Sequence, residues 1–221
     1  MRVINVGRYV TETNDREAKA LRAELKAKGV LLINLMSAPG SGKTTLLDRT
    51  IRDLQGRIRF GVMEADIASE VDAEHIAALG AEAIQVHTDG MCHMDAGMTK
   101  AALDAMDPSD CDVLILENVG NLICPAEYDT GAHRRVMILS VPEGDDKPLK
   151  YPLMFRESDV LVISKTDAAP WFDFDTEACC RRARNLNPDI RIFPLSARTG
   201  EGMEAWEDWL CRELRKIRDG R

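Results

Sequence analysis

Residues 30–45 read VLLINLMSAPGSGKTT. Val30–Met36 is an apolar run of strand length. Residues 37–42 are small and Gly-rich. Lys43-Thr44-Thr45 then opens a segment in which Leu47, Thr50, Ile51 and Leu54 share one helical face. Strand, Gly-rich turn and helix together make a phosphate-cradling loop. Successive backbone N–H groups of Gly40, Ser41, Gly42 and Lys43 can point at one anionic centre. The start of the following helix adds partial positive charge there. Lys43 would neutralise the β- and γ-phosphates, and the Thr44 hydroxyl would ligate Mg²⁺, with Thr45 beside it on the nucleotide side. The pattern G-x-x-x-x-G-K-[ST] has one departure, because Ser37 stands where it asks for Gly. Ser37 must therefore take an ordinary backbone conformation or tolerate strain.

Upstream, residues 14–28 place Ala18, Leu21 and Leu25 at helical spacing, with Gly29 as a stop. Residues 1–29 are accordingly expected to form an N-terminal helical extension, and 30–221 one nucleotide-binding domain. Downstream, apolar strand candidates fall at 30–36, 58–63, 83–87, 111–117, 135–141, 159–164 and 190–194. Helix candidates fall at 44–55, 69–79, 95–106, 175–186 and 201–217. This alternation predicts an α/β fold, a mostly parallel sheet with helices on both faces. Ligands in such sheets bind at the carboxyl ends of the strands. Four candidate segments follow strand ends: 37–44, 64–66, 117–120 and 164–167.

Ser164-Lys165-Thr166-Asp167 resembles the N-K-x-D guanine-reading motif of GTPases. The Asp167 carboxylate would accept from guanine N1–H and the N2 amino group. Adenine lacks that donor pair and would leave a desolvated carboxylate unpaired. Lys165 can lie along the base, and Ser164 replaces the usual Asn. Ser196-Ala197-Arg198 resembles the S-A-K loop that buttresses the base. Taken alone, Asp167 could equally cap a helix. Asp66 and Glu117 are strand-end carboxylates suited to Mg²⁺. Glu117-Asn118-Val119-Gly120 sits where GTPases carry D-x-x-G, so Gly120 would sense the γ-phosphate. Asp66 could orient the attacking water or be a solvated loop acid.

Composition narrows the field. The balance of 29 Lys+Arg against 37 Asp+Glu gives a formal charge of −8, which argues against nucleic-acid binding. No apolar run is long enough to span a membrane, and the first residues lack a secretory core, so no membrane insertion and a cytoplasmic location are expected. Six cysteines in that setting read as thiols or ligands rather than disulfides. Cys92 and His93, in the loop TDGMCHMD, could both turn to one ion, and Cys124 is the obvious third ligand. Thiolate and imidazole suit Zn²⁺ or Ni²⁺. Spacing alone equally allows two small buried thiols and a loop histidine. Cys111, Cys179, Cys180 and Cys211 read as packing residues. Arg134 and Arg135 read as solvated charges rather than as an arginine finger.

Together these residues resemble the HypB family of hydrogenase nickel-incorporation GTPases over nearly the whole chain. NLMSAPGSGKTTLL is similar to that family's phosphate loop, in which Ser37 is usual. GMCHMDA is similar to its metal loop, ENVGNLICPAEYDTGAH to its switch segment, and VPEGDDKPLKYP to its long loop before the guanine strand. The last two stretches separate it from the related urease-accessory GTPase. The resemblance implies binding of GTP/GDP and Mg²⁺, slow GTP hydrolysis, and a homodimer when nucleotide is bound. It also implies delivery of nickel to the [NiFe]-hydrogenase large subunit with HypA and, in some organisms, SlyD. It carries Lys43, Thr44 and Asp167 over for nucleotide, and Cys92, His93 and Cys124 for a Ni²⁺/Zn²⁺ site near the dimer interface. Some members carry an N-terminal C-x-x-C-G-C motif or a His-rich stretch. This N-terminus has neither, so no tight N-terminal nickel site or nickel store is expected. Two other readings share the phosphate loop: a small-molecule kinase, and a metal-binding scaffold with structural nucleotide.

Overall fold

The computed structural model describes residues 6–65, 75–106 and 108–220. In chain order the elements are α1 (Val6–Lys28), β1 (Leu31–Ser37), α2 (Lys43–Asp53), β2 (Phe60–Glu64), β3 (Glu82–Gln85), α3 (Ala96–Ala105), β4 (Val113–Glu117), α4 (Cys124–Glu127), β5 (Arg134–Ser140), α5 (Lys147–Lys150), α6 (Pro152–Glu157), β6 (Val160–Ser164), α7 (Thr176–Leu186), β7 (Arg191–Pro194) and α8 (Met203–Asp219). Residues 75–78 are also helical. The rest of the helix expected over 69–79, through residue 74, lies outside the described residues.

The seven strands order as β3-β2-β4-β1-β5-β6-β7, and every neighbouring pair is parallel. All seven residues of β1 are buried, as a central strand covered on both faces requires. Successive side chains point to opposite faces. Leu31, Ile33 and Leu35 therefore join Ile115, Val136 and Val162 under α2 and α8, where Trp206 and Trp209 stack 5.1 Å apart. The Trp206 indole N–H donates to Thr50 Oγ1 at 3.0 Å, which ties α8 to α2. On the other face Leu32, Leu114 and Leu116 pack with Leu21 and Leu25 of α1 and Leu103 of α3, while Met36, Met137 and Leu161 pack with Phe155 of α6 and Cys179 of α7.

Helix α1 begins at Val6, eight residues before the segment whose spacing predicts it. Its end matches expectation. Gly29 takes φ 71°, and Val30 N–H donates back to Leu25 O at 3.0 Å. The short helices α5 and α6 were not foreseen. Each carries Pro in its first turn, within a loop whose sequence has no helical period. Among the described residues no helix is long and apolar enough to cross a membrane.

Candidate functional site

The carboxyl ends of β1, β2, β4 and β6 lie on one edge of the sheet, so three of the four expected segments converge there. The fourth, 64–66, is described only to Ala65; Asp66 lies outside the described residues. Ser37 is the last residue of β1 and is fully buried in strand conformation. The left-handed positions fall instead at Gly40 (φ 73°) and Gly42 (φ 99°). The corner thus bends three residues later than the pattern's first Gly, and serine at 37 bears no strain. Gly42 precedes α2 with no side-chain cap, leaving the first-turn N–H groups of α2 available to an anion. Lys43 is buried, and its Nζ lies 3.7 Å from Glu117 Oε1 at the end of β4. Gly40–Thr45, Glu117 and Lys165 line one cleft of about 380 Å³. Gly120, three residues past Glu117, is half-buried.

A second cleft of about 380 Å³ opens beside it, lined by Gly42, Thr45, Lys165, Asp167, Ser196, Ala197 and Arg198 among others. Ser196 Oγ donates to Asp167 Oδ1 at 2.7 Å and fixes that carboxylate, while the exposed Arg198 stands 3.9 Å from its other oxygen. Asp167 therefore faces a cleft and does not serve as a helix cap. Lys165 adopts φ 58° and its Nζ donates to Gly40 O at 2.7 Å, so its stem crosses between the two clefts. The buried Ser164 hydroxyl donates to Ser41 O at 2.7 Å. Serine at this position still ties the end of β6 to the phosphate loop and lines the second cleft. Sequence reasoning missed that tie, which only the juxtaposition of β1 and β6 loops reveals.

Cys92 and His93 lie in the loop before α3, and Cys124 opens α4. Cys92 Sγ is 3.7 Å from His93 Nδ1. A hydrogen bond with the Cys124 thiol raises the exposed Cys92 thiol above its usual range. Burial lowers the His93 imidazole. The His93 ring lies flat on Tyr128, with centroids 3.8 Å apart and planes 13° apart. Cys92 thus meets each of the other two, yet among the described residues no three His, Cys, Asp or Glu side chains converge as a metal-ligand group. The donor chemistry, two sulfurs and one imidazole nitrogen, matches Ni²⁺ or Zn²⁺. All six cysteines are free. Burial pushes Cys111 and Cys179 up to about 12, as inert packing thiols.

Arg134 and Arg135 begin β5, at the edge of the sheet away from the clefts. Neither is a simply solvated charge. Arg134 pairs with Glu213 at 2.7 Å and Arg135 with Glu157 at 3.2 Å.

A profile of the CobW/HypB/UreG nucleotide-binding domain matches residues 31–194. Hydrogenase maturation factor HypB of Azotobacter chroococcum mcd 1 is 47% identical over 96% of this chain and 70% of its own length. That of Escherichia coli K12 is 44% identical over 95% and 72%. Among solved structures, HypB from Archaeoglobus fulgidus superposes with TM-score 0.86 at 39% identity, covering 92% of this chain and 99% of its own. HypB from Helicobacter pylori in complex with nickel gives 0.87 at 37%, covering 94% and 96%. With a family profile over most of its length and relatives well above 30% identity across nearly all of it, the chain belongs to the HypB family of hydrogenase maturation factors.

Proposed function

We propose that this chain is a GTP-binding and GTP-hydrolysing metallochaperone that inserts nickel during [NiFe]-hydrogenase maturation. One observation carries the reading. A single short segment bears Glu117, which faces the phosphate-loop Lys43, and Cys124, whose thiol meets Cys92. A change in that segment with nucleotide state would reach a metal ligand directly.

Phosphoryl transfer is mostly positioning and charge neutralisation. Lys43 and the amides of Gly40–Lys43 would hold the β- and γ-phosphates. Thr44 and Glu117 offer the hydroxyl and carboxylate oxygens that Mg²⁺ prefers, and the ion would supply further positive charge to the phosphate oxygens. Asp167, buttressed by Ser196, would select guanine. Gly120 would report the γ-phosphate. Among the described residues the arginine that lines the clefts is Arg198, exposed at the base side and 3.9 Å from the Asp167 carboxylate. Slow hydrolysis, appropriate to a timer, follows. The cargo would be Ni²⁺, with Zn²⁺ able to occupy the same Cys92, His93 and Cys124 donors.

Exposed Met91 and Ile123 flank Cys92 and Cys124, and exposed Trp171 and Phe172 end the turn that carries Asp167. These apolar surfaces beside both sites support a nucleotide-dependent homodimer, with cargo passed to the hydrogenase large subunit alongside a HypA-type accessory protein. The test is phosphate release from GTP by purified protein, with and without candidate acceptors, and hydrogenase maturation by Lys43→Ala. Acceptor-independent release and failed maturation are expected. Strict acceptor dependence would make the protein a kinase, and full maturation by Lys43→Ala would make the nucleotide merely structural.

A further inference from the structure

The two segments that carry the thiol and imidazole donors are joined behind the site by buried amides. Asn118, within the Glu117–Gly120 stretch, is completely buried. Its Oδ1 accepts from Met94 N–H at 3.1 Å and from Val119 N–H at 2.9 Å. Its Nδ2 donates to Asn34 Oδ1 at 3.1 Å, and its own backbone N–H donates to Leu35 O at 2.9 Å. Asn34 sits in the middle of β1 and is likewise fully buried. One side chain therefore connects the phosphate-loop strand, the γ-phosphate-facing stretch and the residue immediately after His93. A buried polar link of this kind is costly to leave half-made, because each abandoned donor or acceptor forfeits its desolvation cost. A shift of residues 117–120 must therefore either drag residues 92–94 with it or break the bond to Met94.

A second buried amide joins the same segments without touching that stretch. Asn14 of α1 accepts from Ala96 N–H at 2.9 Å and donates to Asp129 O at 2.9 Å. It pins the start of α3 to the chain just beyond Tyr128, on whose ring His93 stacks. Asn14 thus braces the two segments from α1, whereas Asn118 lies within the Glu117–Gly120 stretch itself.

We infer that Asn118 is a positioning residue that carries nucleotide state from the Glu117–Gly120 stretch to the Cys92–His93 loop, through its hydrogen bond to the Met94 amide. The inference rests on the nucleotide-gated reading above and names the route within it. Asn118 touches neither metal nor nucleotide in this role.

The test is Ni²⁺ affinity of the full chain with GDP and with a non-hydrolysable GTP analogue, for wild type, Asn118→Ala and Asn14→Ala. Folding is checked by thermal unfolding. In wild type the two affinities should differ by about fivefold or more, the usual lower range of coupling. In Asn118→Ala the difference should fall within about twofold, while GDP affinity stays near wild type. In Asn14→Ala both Ni²⁺ affinities should fall together, with their ratio kept. Equal wild-type affinities would defeat the gated reading itself. A retained ratio in Asn118→Ala would overturn only the Asn118 route, and so would a ratio lost equally in Asn14→Ala. Should Asn118→Ala not fold, amide hydrogen exchange at Met94 in wild type decides. Protection that changes between the two nucleotides supports the route, and unchanged protection overturns it.

Discussion

Replacing Asp167 with Asn isolates the proposed base recognition from the other contacts proposed for the nucleotide. The carboxylate is anchored by Ser196 Oγ at 2.7 Å, and Asn Oδ1 can keep that bond, so the frame of the cleft should survive. Arg198 is 3.9 Å away and almost fully exposed, so its loss as an ion-pair partner matters little. The change falls on the base. Guanine offers two donors, N1–H and the N2 amino group, to one carboxylate, and hydrogen bonds to a charged group contribute about 1.5–3 kcal/mol each. Asn can accept one of them and sets its own NH₂ against the other. Losing one such bond and leaving a donor unpaired costs about 3 kcal/mol, on the order of 100-fold in Kd. Xanthine carries a carbonyl where guanine carries N2, so the same NH₂ becomes a donor with a partner, and xanthine nucleotides should gain what guanine nucleotides lose. Isothermal titration of wild type and Asp167→Asn with GDP, XDP and ADP reads this directly. GDP affinity within threefold of wild type in the variant would show that Asp167 does not read the base, as would ADP binding as tightly as GDP in the wild type.

Three further outcomes follow from packing and titration. His133 Nδ1 accepts from Leu32 N–H at 3.0 Å and its Nε2–H donates to Arg22 O at 3.1 Å, and burial holds its pKa down to about 4. The unfolded chain therefore binds a proton that the folded chain refuses between pH ~6.5 and about 4. The stability is whole above that window and falls with pH through it, by on the order of 2 kcal/mol after allowing for solvent screening. Urea unfolding across the window should show His133→Gln losing that part of the slope, and parallel pH profiles would contradict it. Gly61→Ala would drive a Cβ to 2.7 Å from Leu114 Cδ2 and 2.8 Å from Cys111 Sγ, so thermal unfolding should report about 1–3 kcal/mol of destabilisation with little change in GDP affinity. Ser164→Ala removes the buried bond to Ser41 O and should cost about 1–2 kcal/mol, with GDP affinity also reduced because the phosphate loop loses its tie to β6.

What the sequence made legible was local. The apolar run, the glycines and Lys43-Thr44 specify strand, turn and helix within about sixteen residues, and the strand-end segments place the candidate site without any long-range information. The start of α1 was not legible. Residues 6–13 (VGRYVTET) place Val6, Tyr9 and Val10 at helical spacing, but their β-branched residues and glycine have low helix propensity. The bends at Gly40 and Gly42, rather than at Ser37, depend on backbone geometry that a motif pattern does not encode. Nor did spacing show that Asn14 lies against Asp129, or Asn34 against Asn118. Those contacts span 115 and 84 residues and exist only because α1, β1 and β4 pack side by side. The His93–Tyr128 stack was hidden for the same reason, since it depends on how the segment after β4 folds back over the loop before α3.

The proposed function has one segment, Glu117 to Cys124, couple nucleotide to metal. Competitive titration of Ni²⁺ into the full wild-type chain, loaded once with GDP and once with a non-hydrolysable GTP analogue, tests that coupling. Affinities that differ by about fivefold or more are predicted. Identical affinity and stoichiometry in the two states would contradict the claim.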